Sequence, residues 1–445
     1  MHACETMGAT TVICTDKTGT LTQNRMSVEE ACFYSGGEDC KSIVDANKIL
    51  LDSSDFSNEI KEGIAVNSTA SLDLSNPAAP SVLGNPTEGA LLLWLHAKGV
   101  DYEALREEVK VVEELPFTTD RKYMATVVES ALMPGKRMLY VKGAPEIVYD
   151  LCASTDGVPL KAAVDAQLKL YQQRAMRTLG FACQEIGDEK VIVDGTIHVD
   201  KLRFLGITAI ADPVRNEVPE SIGECLNAGI CVKIVTGDTA ETAKEIGRQV
   251  GLWTDKDTDR NIISGPEFAA LTDAQLDTLV MYIKIIARAR PMDKKRLVEA
   301  LQRKNQVVAV TGDGTNDAPA LKAADIGCAM GITGTDVAKG AADMTLTDDN
   351  FATIVEAVRE GRGIYANIKK VVGFLLGTNI GEVVAVFAAM LLWHKSPFLS
   401  MQLLWINLVT DSLPAIALGM EAVEADVMDK KPRPKTEGIF AHGLG

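Results

Sequence analysis

Two acidic motifs that lie far apart in the sequence carry groups suited to phosphoryl transfer. The first is DKTGTLT, residues 16–22, and the second is TGDGTND, residues 311–317. The carboxylate of Asp16 can accept a phosphoryl group, which divides one difficult transfer into two easier steps. Asp313 and Asp317 can hold the Mg²⁺ that such a transfer requires, since this hard cation prefers oxygen ligands. Together the motifs predict ATP chemistry through an aspartyl-phosphate.

The residues beside Asp16 favour a phosphoenzyme that persists. Thr18 and Gly19 allow backbone amides to approach phosphate oxygens closely. A phosphatase with the same nucleophile would carry a general acid two residues further on, where this chain has Thr18. Without that acid the phosphoenzyme should hydrolyse slowly. A single Asp at a strand end is more often a helix N-cap, but the complete string disfavours that alternative.

Other groups that could serve the same phosphate follow other apolar runs. Thr236, Gly237 and Asp238 form a TGD turn that can offer a hydroxyl and amides. Asn316 can hydrogen-bond a phosphate oxygen, and Lys294 is a candidate cation for the transferring group. A lysine such as Lys294 is ordinarily a solvated surface charge, so its assignment depends on the motifs around it.

Short β-branched runs must position these groups. Residues 10–14 end just before Asp16, and Leu205–Ile210, Cys231–Val235 and Val307–Val310 are typical of further buried strands. Each of the three later runs is followed by a turn rich in Asp and Gly and then by a helical pattern. Repeated strand, loop and helix predict a parallel sheet, which binds ligands at the carboxyl ends of its strands.

The simplest architecture is one doubly wound α/β domain that is interrupted by an inserted α+β domain at residues 28–208. The insert mixes helical segments with strand-like runs such as Tyr123–Val128, Met138–Val141 and Lys190–Val193. Within it, Phe117, Lys122 and Lys142 form a candidate nucleotide site, since an aromatic ring can stack on a base and lysines attract phosphates. Taken singly, a Phe in Leu-Pro-Phe is usually a core residue.

The C-terminal part is apolar enough to enter a lipid bilayer. Val371–Trp393 and Leu399–Met420 are each long enough to span a membrane as a helix. Basic residues at 369–370 and 430–433 flank the outer ends, which would place these ends and the α/β domain in the cytoplasm. A buried hairpin in a soluble core is the alternative, and the length of the two spans disfavours it.

Polar side chains within these spans could bind a cation. Asn379 and Glu382 share one helix face, as do Asn407, Thr410 and Asp411. Carboxylates in a bilayer are costly, so they face a protein interior or an ion. This oxygen-rich set suits Ca²⁺, and a proton relay or structural hydrogen bonding are the alternatives. A proline one turn after Asp411 should break the second helix.

Composition disfavours several other classes of protein. The formal net charge of −16 argues against a nucleic-acid partner. Nine cysteines are scattered without a CxxC pair or a zinc-like spacing, which is typical of free thiols in a reducing compartment. The chain does not open with the basic and apolar segments of a signal peptide. Its catalytic strand comes almost at once, as expected of a fragment.

In this order, the motifs resemble those of P-type ATPases of the calcium-pump kind, over nearly the whole chain. Beside DKTGTLT they are KGAPE at 142–146, DPVR at 212–215, TGD at 236–238, TGDGTNDAPAL at 311–321 and NLVTDSLPA at 407–415. The resemblance implies a haloacid-dehalogenase-like P domain at 1–27 and 209–365, a nucleotide-binding N domain at 28–208, two transmembrane helices within 366–421 and a cytoplasmic tail at 422–445.

The resemblance also implies roles for individual residues. Asp16 would be phosphorylated, with Mg²⁺ held by Asp16, the Thr18 carbonyl and Asp313. The other residues of the phosphate and metal site would be Lys17, Thr236, Gly237, Asp238, Lys294, Asn316 and Asp317. The nucleotide-site positions would be Glu88, Phe117, Lys122, Lys142, Arg177 and Arg288. The calcium ligands would be Asn379, Glu382, Asn407, Thr410 and Asp411.

The implied function is calcium transport driven by ATP, with Mg²⁺ as cofactor, in a bilayer expected to be a bacterial plasma membrane. The family's actuator domain and first membrane helices precede the phosphorylated strand, so a missing N-terminal half is an implied partner, and this chain alone is not expected to pump. The alternatives are transport of Mn²⁺, Na⁺/K⁺ or protons, a nucleotide-binding remnant without transport, and a soluble phosphatase of the haloacid-dehalogenase fold. Thr18 and the two spans disfavour the phosphatase.

Overall fold

A computed structural model of the chain describes residues 2–34, 46–76, 80–152, 161–435 and 437–438. The chain consists of two compact units: unit 1 is Met1–Leu21 with Val214–Gly445, and unit 2 is Thr22–Pro213. Cys40 and residues 439–445 of the expected tail lie outside the described residues. The eight described cysteines are free thiols, in line with the sequence analysis.

Unit 1 is built on a seven-stranded sheet in which every strand pairing is parallel. In spatial order its strands are Ile262–Ser264, Ile285–Ala287, Cys231–Val235, Val12–Thr15, Val308–Gly312, Ile326–Met330 and Met344–Leu346. Both faces are covered, because Ile13 packs into one apolar cluster whereas Val12 and Cys14 pack into another. Continuous apolar runs are typical of such strands. The predicted doubly wound parallel sheet is confirmed.

Helices connect the strands of this sheet. Those of the α/β part are His2–Gly8, Val218–Asn227, Ala240–Gln249, Gly265–Ala270, Asp273–Leu279, Pro291–Arg303, Ala318–Ala323 and Asp336–Ala341, with single turns at Asp259–Asn261 and Thr315–Asp317. The first helix crosses the long helix Phe351–Trp393 at two glycines. A Cβ on Gly8 would lie 2.3 Å from the carbonyl carbon of Gly361, so this close crossing requires glycine.

Unit 2 contains a six-stranded sheet in which every pairing is antiparallel. In spatial order its strands are Ser27–Phe33, Arg203–Ala211, Arg177–Ile186, Arg137–Gly143, Tyr123–Glu129 and Lys110–Leu115. Two short hairpins pair Ser71–Asp73 with Ser81–Leu83 and Ile192–Val193 with Thr196–Ile197. The helices are Asp55–Val66, Pro86–Ala97, Tyr102–Glu108, Pro145–Cys152 and Lys161–Gln173, with a single turn at Ala46–Lys48.

One strand was predicted in the wrong sheet. Leu205–Ile210 was grouped with the parallel strands, yet it lies within Arg203–Ala211, between two antiparallel partners of unit 2. Its apolar composition reports burial, which both sheets provide, and does not report the direction of its neighbours. The expected domain boundary at residue 208 also falls inside this strand, whereas the structure divides the chain between Pro213 and Val214.

The described residues include two helical segments long and apolar enough to cross a membrane, Phe351–Trp393 and Ser400–Gly419. The first begins in the core of unit 1, where Phe351 and Val358 are fully buried, and is therefore longer than the predicted span from Val371. The second consists of Ser400–Trp405, a wide π-helical turn at Ile406–Asp411, and Ser412–Gly419. The predicted break in this helix is thus a widened turn.

The segment after the second span folds back onto unit 1. Val427 and Met428 are buried in its apolar core. The Arg362 guanidinium donates to the carbonyls of Val427 and Lys430 at 2.8 and 2.7 Å. Arg433 pairs with Glu5 at 2.9 Å. These contacts fix the described part of the expected tail to the base of the long helix.

Candidate functional site

Asp16 begins the turn that follows the central strand Val12–Thr15 of unit 1. Its amide donates to the Thr311 hydroxyl at 3.0 Å, and its Oδ1 accepts from the Lys17 amide at 2.7 Å. Because Thr311 belongs to the neighbouring strand Val308–Gly312, the first bond holds the turn against that strand. The carboxylate of Asp16 is thereby fixed at the carboxyl end of the sheet, where parallel sheets bind ligands.

The turn after Asp16 depends on a glycine. Thr18 has extended backbone angles, φ −72° and ψ 129°, and Gly19 has φ 78°. A positive φ is costly for residues with a Cβ, so Gly19 permits the reversal. Its carbonyl accepts from the Arg215 guanidinium at 3.0 Å. In this turn, the residue two positions after Asp16 is Thr18, which carries a hydroxyl where a phosphatase would carry a carboxylic acid.

The loop after Val308–Gly312 brings two further carboxylates to Asp16. One oxygen from each of Asp16, Asp313 and Asp317 lies within 4.8 Å of the others. Asp317 Oδ2 accepts from the amides of Asp313 and Gly314 at 3.2 and 3.1 Å, which closes the loop. These three residues, predicted from two motifs that lie far apart in the sequence, are brought together by the fold.

Lys294 supplies a buried positive charge to this cluster. Its side chain is only 4 % exposed, and its Nζ lies 2.8 Å from Asp317 Oδ1 and 3.6 Å from Asp16 Oδ2. Burial acts to lower the pKa of Lys294, but the charges of Asp16 and Asp317 outweigh it and the pKa is raised. Lys294 is therefore a protonated member of the cluster, and the alternative of a solvated surface charge is wrong.

The acidic cluster fits a hard divalent cation. Burial and the charges of Asp16 and Asp317 raise the pKa of Asp313, with Lys294 partly opposing the shift. The single lysine charge therefore does not fully offset the repulsion among the three carboxylates. Carboxylate oxygens at this separation are the donor type that Mg²⁺ prefers. The residues present thus fit the metal that the sequence analysis expected.

The TGD turn lies at the same end of the sheet. Thr236, Gly237 and Asn316 line an open cleft of about 250 Å³ together with the three carboxylates and Lys294. Thr236 Oγ1 accepts from the Asp238 amide at 3.2 Å. The Lys17 ammonium pairs with Asp238 at 2.6 Å, which joins the turn after Asp16 to the TGD turn.

Arg288 also lies beside the TGD turn. It has a left-handed backbone, with φ 49°, and its amide donates to the Asp238 carbonyl at 2.8 Å. Its side chain is exposed. Arg288 therefore belongs to unit 1, whereas the other five nucleotide-site candidates belong to unit 2.

Two of the nucleotide-site candidates form a buried ion pair in unit 2. Lys142 Nζ lies 2.7 Å from Glu88 Oε1, with the side chains 3 % and 10 % exposed. Glu88 Oε2 accepts from the amide and the hydroxyl of Thr69, both at 2.8 Å. Burial lowers the pKa of Lys142, and the charge of Glu88 partly opposes this shift. For Glu88, burial acts to raise the pKa, but the charge of Lys142 and the hydrogen bonds from Lys142 and Thr69 outweigh it, so the pKa of Glu88 is lowered.

The remaining candidates of unit 2 are exposed. The ring of Phe117 is 56 % exposed, which excludes the alternative of a core residue. Lys122 has an exposed side chain, and its carbonyl accepts from the Ala144 amide, so it lies beside the end of strand Arg137–Gly143. Arg177 donates to the Thr87 hydroxyl at 3.4 Å, next to Glu88. Phe117, Lys122 and Arg177 are thus accessible to a ligand.

Two of the proposed ion ligands touch each other between the apolar helices. Asn407 Nδ2 donates to Glu382 Oε2 at 3.1 Å, while Glu382 Oε1 is buried without a partner among the described residues. Asp411 is 4 % exposed, and its Oδ2 is likewise buried and unpartnered in the described part of the chain. Buried carboxylate oxygens without donors are costly unless a cation serves them.

The other two predicted ion ligands are arranged differently. Asn379 is exposed and its side chain donates to the Leu375 carbonyl of its own helix at 2.7 Å. Thr410 is also exposed. It lies in the wide turn Ile406–Asp411, whose geometry is further held by a bond from the Ser412 hydroxyl to the Asn407 carbonyl at 3.0 Å.

Some residues of the cleft were missed by sequence reasoning. Thr311 holds the Asp16 amide, and Arg290 and Pro291 line the cleft. Thr311 opens the motif that supplies Asp313, so its place in that string was the available signal. Pro291 begins the helix that also carries Lys294, so both residues line the cleft because they belong to the same helix.

Comparison with known proteins identifies the class to which the fold and the site belong. Three family models match: "P-type ATPase, cytoplasmic domain N" at residues 55–217, "haloacid dehalogenase-like hydrolase" at 293–358, and "Cation transporting ATPase, C-terminus" at 395–445. The chain thus carries domains that match those of P-type ATPases. The family resemblance drawn from the motifs is therefore confirmed, as is the haloacid-dehalogenase-like fold.

The chain is similar to calcium-transporting members of this family. It is 42 % identical to "Calcium-transporting ATPase 1" of Lactococcus lactis, over 100 % of this chain and 49 % of that protein. It is 40 % identical to "Calcium-transporting ATPase" of Bacillus subtilis, over 100 % and 51 %. It is 39 % identical to "Calcium-transporting ATPase 10, plasma membrane-type" of Oryza sativa, over 98 % and 43 %. The chain thus spans about half the length of the curated relatives it matches.

Proposed function

We propose that this chain provides the ATP-binding, phosphorylated and part of the ion-binding machinery of a calcium-transporting P-type ATPase. The observation that carries the proposal is the cluster at the carboxyl end of the sheet. There the Asp16 carboxylate lies within 4.8 Å of two other carboxylates and 3.6 Å from a buried lysine. The similarity to calcium-transporting relatives over the whole chain supports the same assignment.

In the proposed reaction, an oxygen of Asp16 forms a bond to the γ-phosphorus of ATP. The bond between that phosphorus and the β–γ bridging oxygen breaks, and ADP leaves with the electron pair. Lys294 offers positive charge to the transferring group, and Thr236 and Gly237 offer a hydroxyl and an amide. Thr18 offers no carboxylic acid to activate water, so the aspartyl-phosphate should persist.

Asp16, Asp313, Asp317 and the Thr18 carbonyl are the groups that would hold Mg²⁺. When bound, the ion supplies charge that neutralises the phosphoryl oxygens. Asp317 is held in place by Lys294 and by the amides of Asp313 and Gly314. These contacts preorganise the carboxylate before ATP binds, which lowers the cost of reorganisation during transfer.

The nucleotide is proposed to bind unit 2. The exposed ring of Phe117 is suited to stack on the adenine, and Lys122 and Arg177 can approach the phosphates. Lys142 is assigned a different part, because it is buried in its pair with Glu88. It would fix the position of Glu88 and of the adjoining segment at Thr69, and would act on the nucleotide through them.

Calcium is the proposed cargo, held by Glu382, Asn407 and Asp411 with further oxygen atoms. The unpartnered oxygens of Glu382 and Asp411 support a cation site, and oxygen-only ligands favour Ca²⁺ over softer metals. The spans would lie in a plasma membrane with units 1 and 2 in the cytoplasm, as the basic flanking residues favour. Transport of Mn²⁺, Na⁺/K⁺ or protons through the same site is the competing proposal.

The experiment that tests the proposal is labelling of the purified chain with ATP carrying ³²P at the γ position. We expect an acid-stable, hydroxylamine-sensitive phosphoenzyme that requires Mg²⁺. A phosphatase of the same fold would instead release phosphate from small phosphoesters without accumulating a labelled protein. Ca²⁺ is tested separately by equilibrium binding of ⁴⁵Ca²⁺ to the chain in lipid nanodiscs, in which binding competed equally by Mn²⁺ would contradict calcium as the specific cargo.

A further inference from the structure

Asp349 is a buried carboxylate that the proposed chemistry does not use. It is 1 % exposed and lies between strand Met344–Leu346 and the long helix that begins at Phe351. Its backbone is left-handed, with φ 52°. Asn350, and not Asp349, caps that helix, because the Asn350 side chain accepts from the Ala352 amide. A fully buried carboxylate that is not needed as a cap requires another explanation.

The carboxylate of Asp349 accepts four hydrogen bonds from one loop. Oδ1 accepts from the amides of Gly331 and Ile332 at 2.6 and 3.0 Å. Oδ2 accepts from the amide and the hydroxyl of Thr333, both at 2.8 Å. Burial acts to raise the pKa of Asp349, but these four bonds outweigh it and the pKa is lowered. The group is therefore ionised and fully satisfied.

The loop that Asp349 holds, residues 331–335, contacts the metal-binding loop of the phosphorylation site. The Thr335 amide donates to the Asp313 carbonyl at 2.8 Å. The residue that precedes the loop, Met330, accepts through its sulfur from the Thr20 hydroxyl at 3.8 Å, in the turn that follows Asp16. The loop thus contacts the backbone of Asp313, and the residue just before it contacts a side chain of the turn that follows Asp16.

We propose that Asp349 is a positioning residue for the divalent cation of the phosphorylation site, acting through the loop 331–335 on Asp313. The inference rests on the proposed function, since it assumes that Asp313 is a metal ligand. Removal of an outer group that hydrogen-bonds to a metal ligand and orients it typically weakens metal affinity about 10- to 100-fold. Asp349→Asn turns one acceptor oxygen into an NH₂ group that faces amide donors, so it should loosen the loop while nearly preserving side-chain volume.

The test is a titration of the purified full-length chain with Mn²⁺, which replaces Mg²⁺ as a probe, with free Mn²⁺ followed by electron paramagnetic resonance. The component that Asp313→Asn removes is assigned to the site. We expect Asp349→Asn to weaken that component about tenfold with unchanged stoichiometry. The matched control is Asp348→Asn, whose carboxylate bonds to the Asn350 amide and the Thr353 hydroxyl and not to the loop. It should bind like the wild type.

A second variant keeps the test decisive if Asp349→Asn does not fold. Thr333→Val removes one of the four bonds and should weaken Mn²⁺ binding in the same direction by a smaller factor. A purely structural role would lower the fraction of competent sites at unchanged affinity, and that result, or wild-type affinity in both variants, would overturn the proposal. Mn²⁺ binding that weakens as expected in a chain that forms no phosphoenzyme would contradict the proposed function and leave the role of Asp349 standing.

Discussion

Replacing Asp313 with asparagine should stabilise unit 1 when no divalent cation is present, although it removes a proposed metal ligand. Asp313 carries a carboxylate whose ionised form is disfavoured by its surroundings, because burial and the charges of Asp16 and Asp317 raise its pKa. An amide of the same shape carries no charge and relieves that repulsion. The gain in stability should therefore accompany the loss of the metal site.

The size of the effect follows from the geometry. Two like charges 4.8 Å apart, the limit for this cluster, repel by about 3.5 kcal/mol at an effective dielectric constant of 20 and by about 0.9 kcal/mol in bulk water. Asp313 faces two such neighbours, Lys294 offsets part of the repulsion, and the side chain is partly exposed. We therefore expect a net gain of about 1 kcal/mol, which raises the thermal midpoint by about 2–4 °C for a unit of this size.

The assay is thermal unfolding in EDTA, compared with unfolding in millimolar Mg²⁺. The matched control is Asp317→Asn, which should have the opposite effect in EDTA. Asp317 is the closest partner of the buried Lys294, and its removal leaves that lysine with Asp16 alone, at 3.6 Å; removing one partner of a buried charge is destabilising. Wild-type chain should be stabilised by Mg²⁺, whereas neither variant should respond. A lower midpoint for Asp313→Asn in EDTA, or a Mg²⁺ response equal to that of the wild type, would refute the reasoning.

The gain from Asp313→Asn should also depend on pH. Because the pKa of Asp313 is raised in the folded state, the folded chain binds more protons than the unfolded chain between the unfolded value of about 3.9 and the folded value. The stability of the wild type therefore falls as the pH rises through this window. The advantage of the variant should be absent below about pH 3.9 and complete above the folded pKa of Asp313.

Two other predictions concern unit 2 and the membrane helices. Lys142→Met should lower the thermal midpoint and weaken ATP binding, because it leaves Glu88 buried without its ion pair. Lys122→Met should weaken ATP binding at an unchanged thermal midpoint, because Lys122 is exposed. Equal thermal midpoints of the two variants in calorimetry would contradict this. Asp411→Asn should weaken equilibrium binding of ⁴⁵Ca²⁺ to the chain in lipid nanodiscs at least about tenfold, since a charged ligand is lost from a low-dielectric site. Ca²⁺ binding equal to that of the wild type would show that Asp411 is not part of the ion site.

The convergence of Asp16, Asp313 and Asp317 could be predicted from sequence because parallel strands place their carboxyl ends at one edge. Asp16 and Asp313 each follow a short apolar run, Asp317 comes four residues after Asp313, and the parallel sheet brings the two loops to the same edge. The predicted spans were likewise found because length and hydropathy suffice to detect them. The start of the first helix could not be predicted, since this helix continues without a break from the core of unit 1 into the apolar segment.

Other features depend on tertiary contacts that no local pattern reveals. The burial of Lys142 follows from Glu88, which lies on a distant helix, and KGAPE alone does not disclose that pair. Leu205–Ile210 was placed in the wrong sheet for a similar reason, because its partners are set by the fold of unit 2. Asp349 resembles an ordinary residue before a helix in the sequence, and only the structure reveals the four donors around it.

The most direct test of the central claim is the amount of acid-stable ³²P retained by the Asp16→Asn variant after incubation with labelled ATP and Mg²⁺. Asparagine keeps the shape of the side chain and removes the nucleophilic carboxylate, so binding of ATP to unit 2 should be unchanged and labelling should fall to background. Thermal unfolding of the same sample verifies that the variant is folded. Labelling equal to that of the wild type would contradict the assignment of Asp16 as the phosphorylated residue.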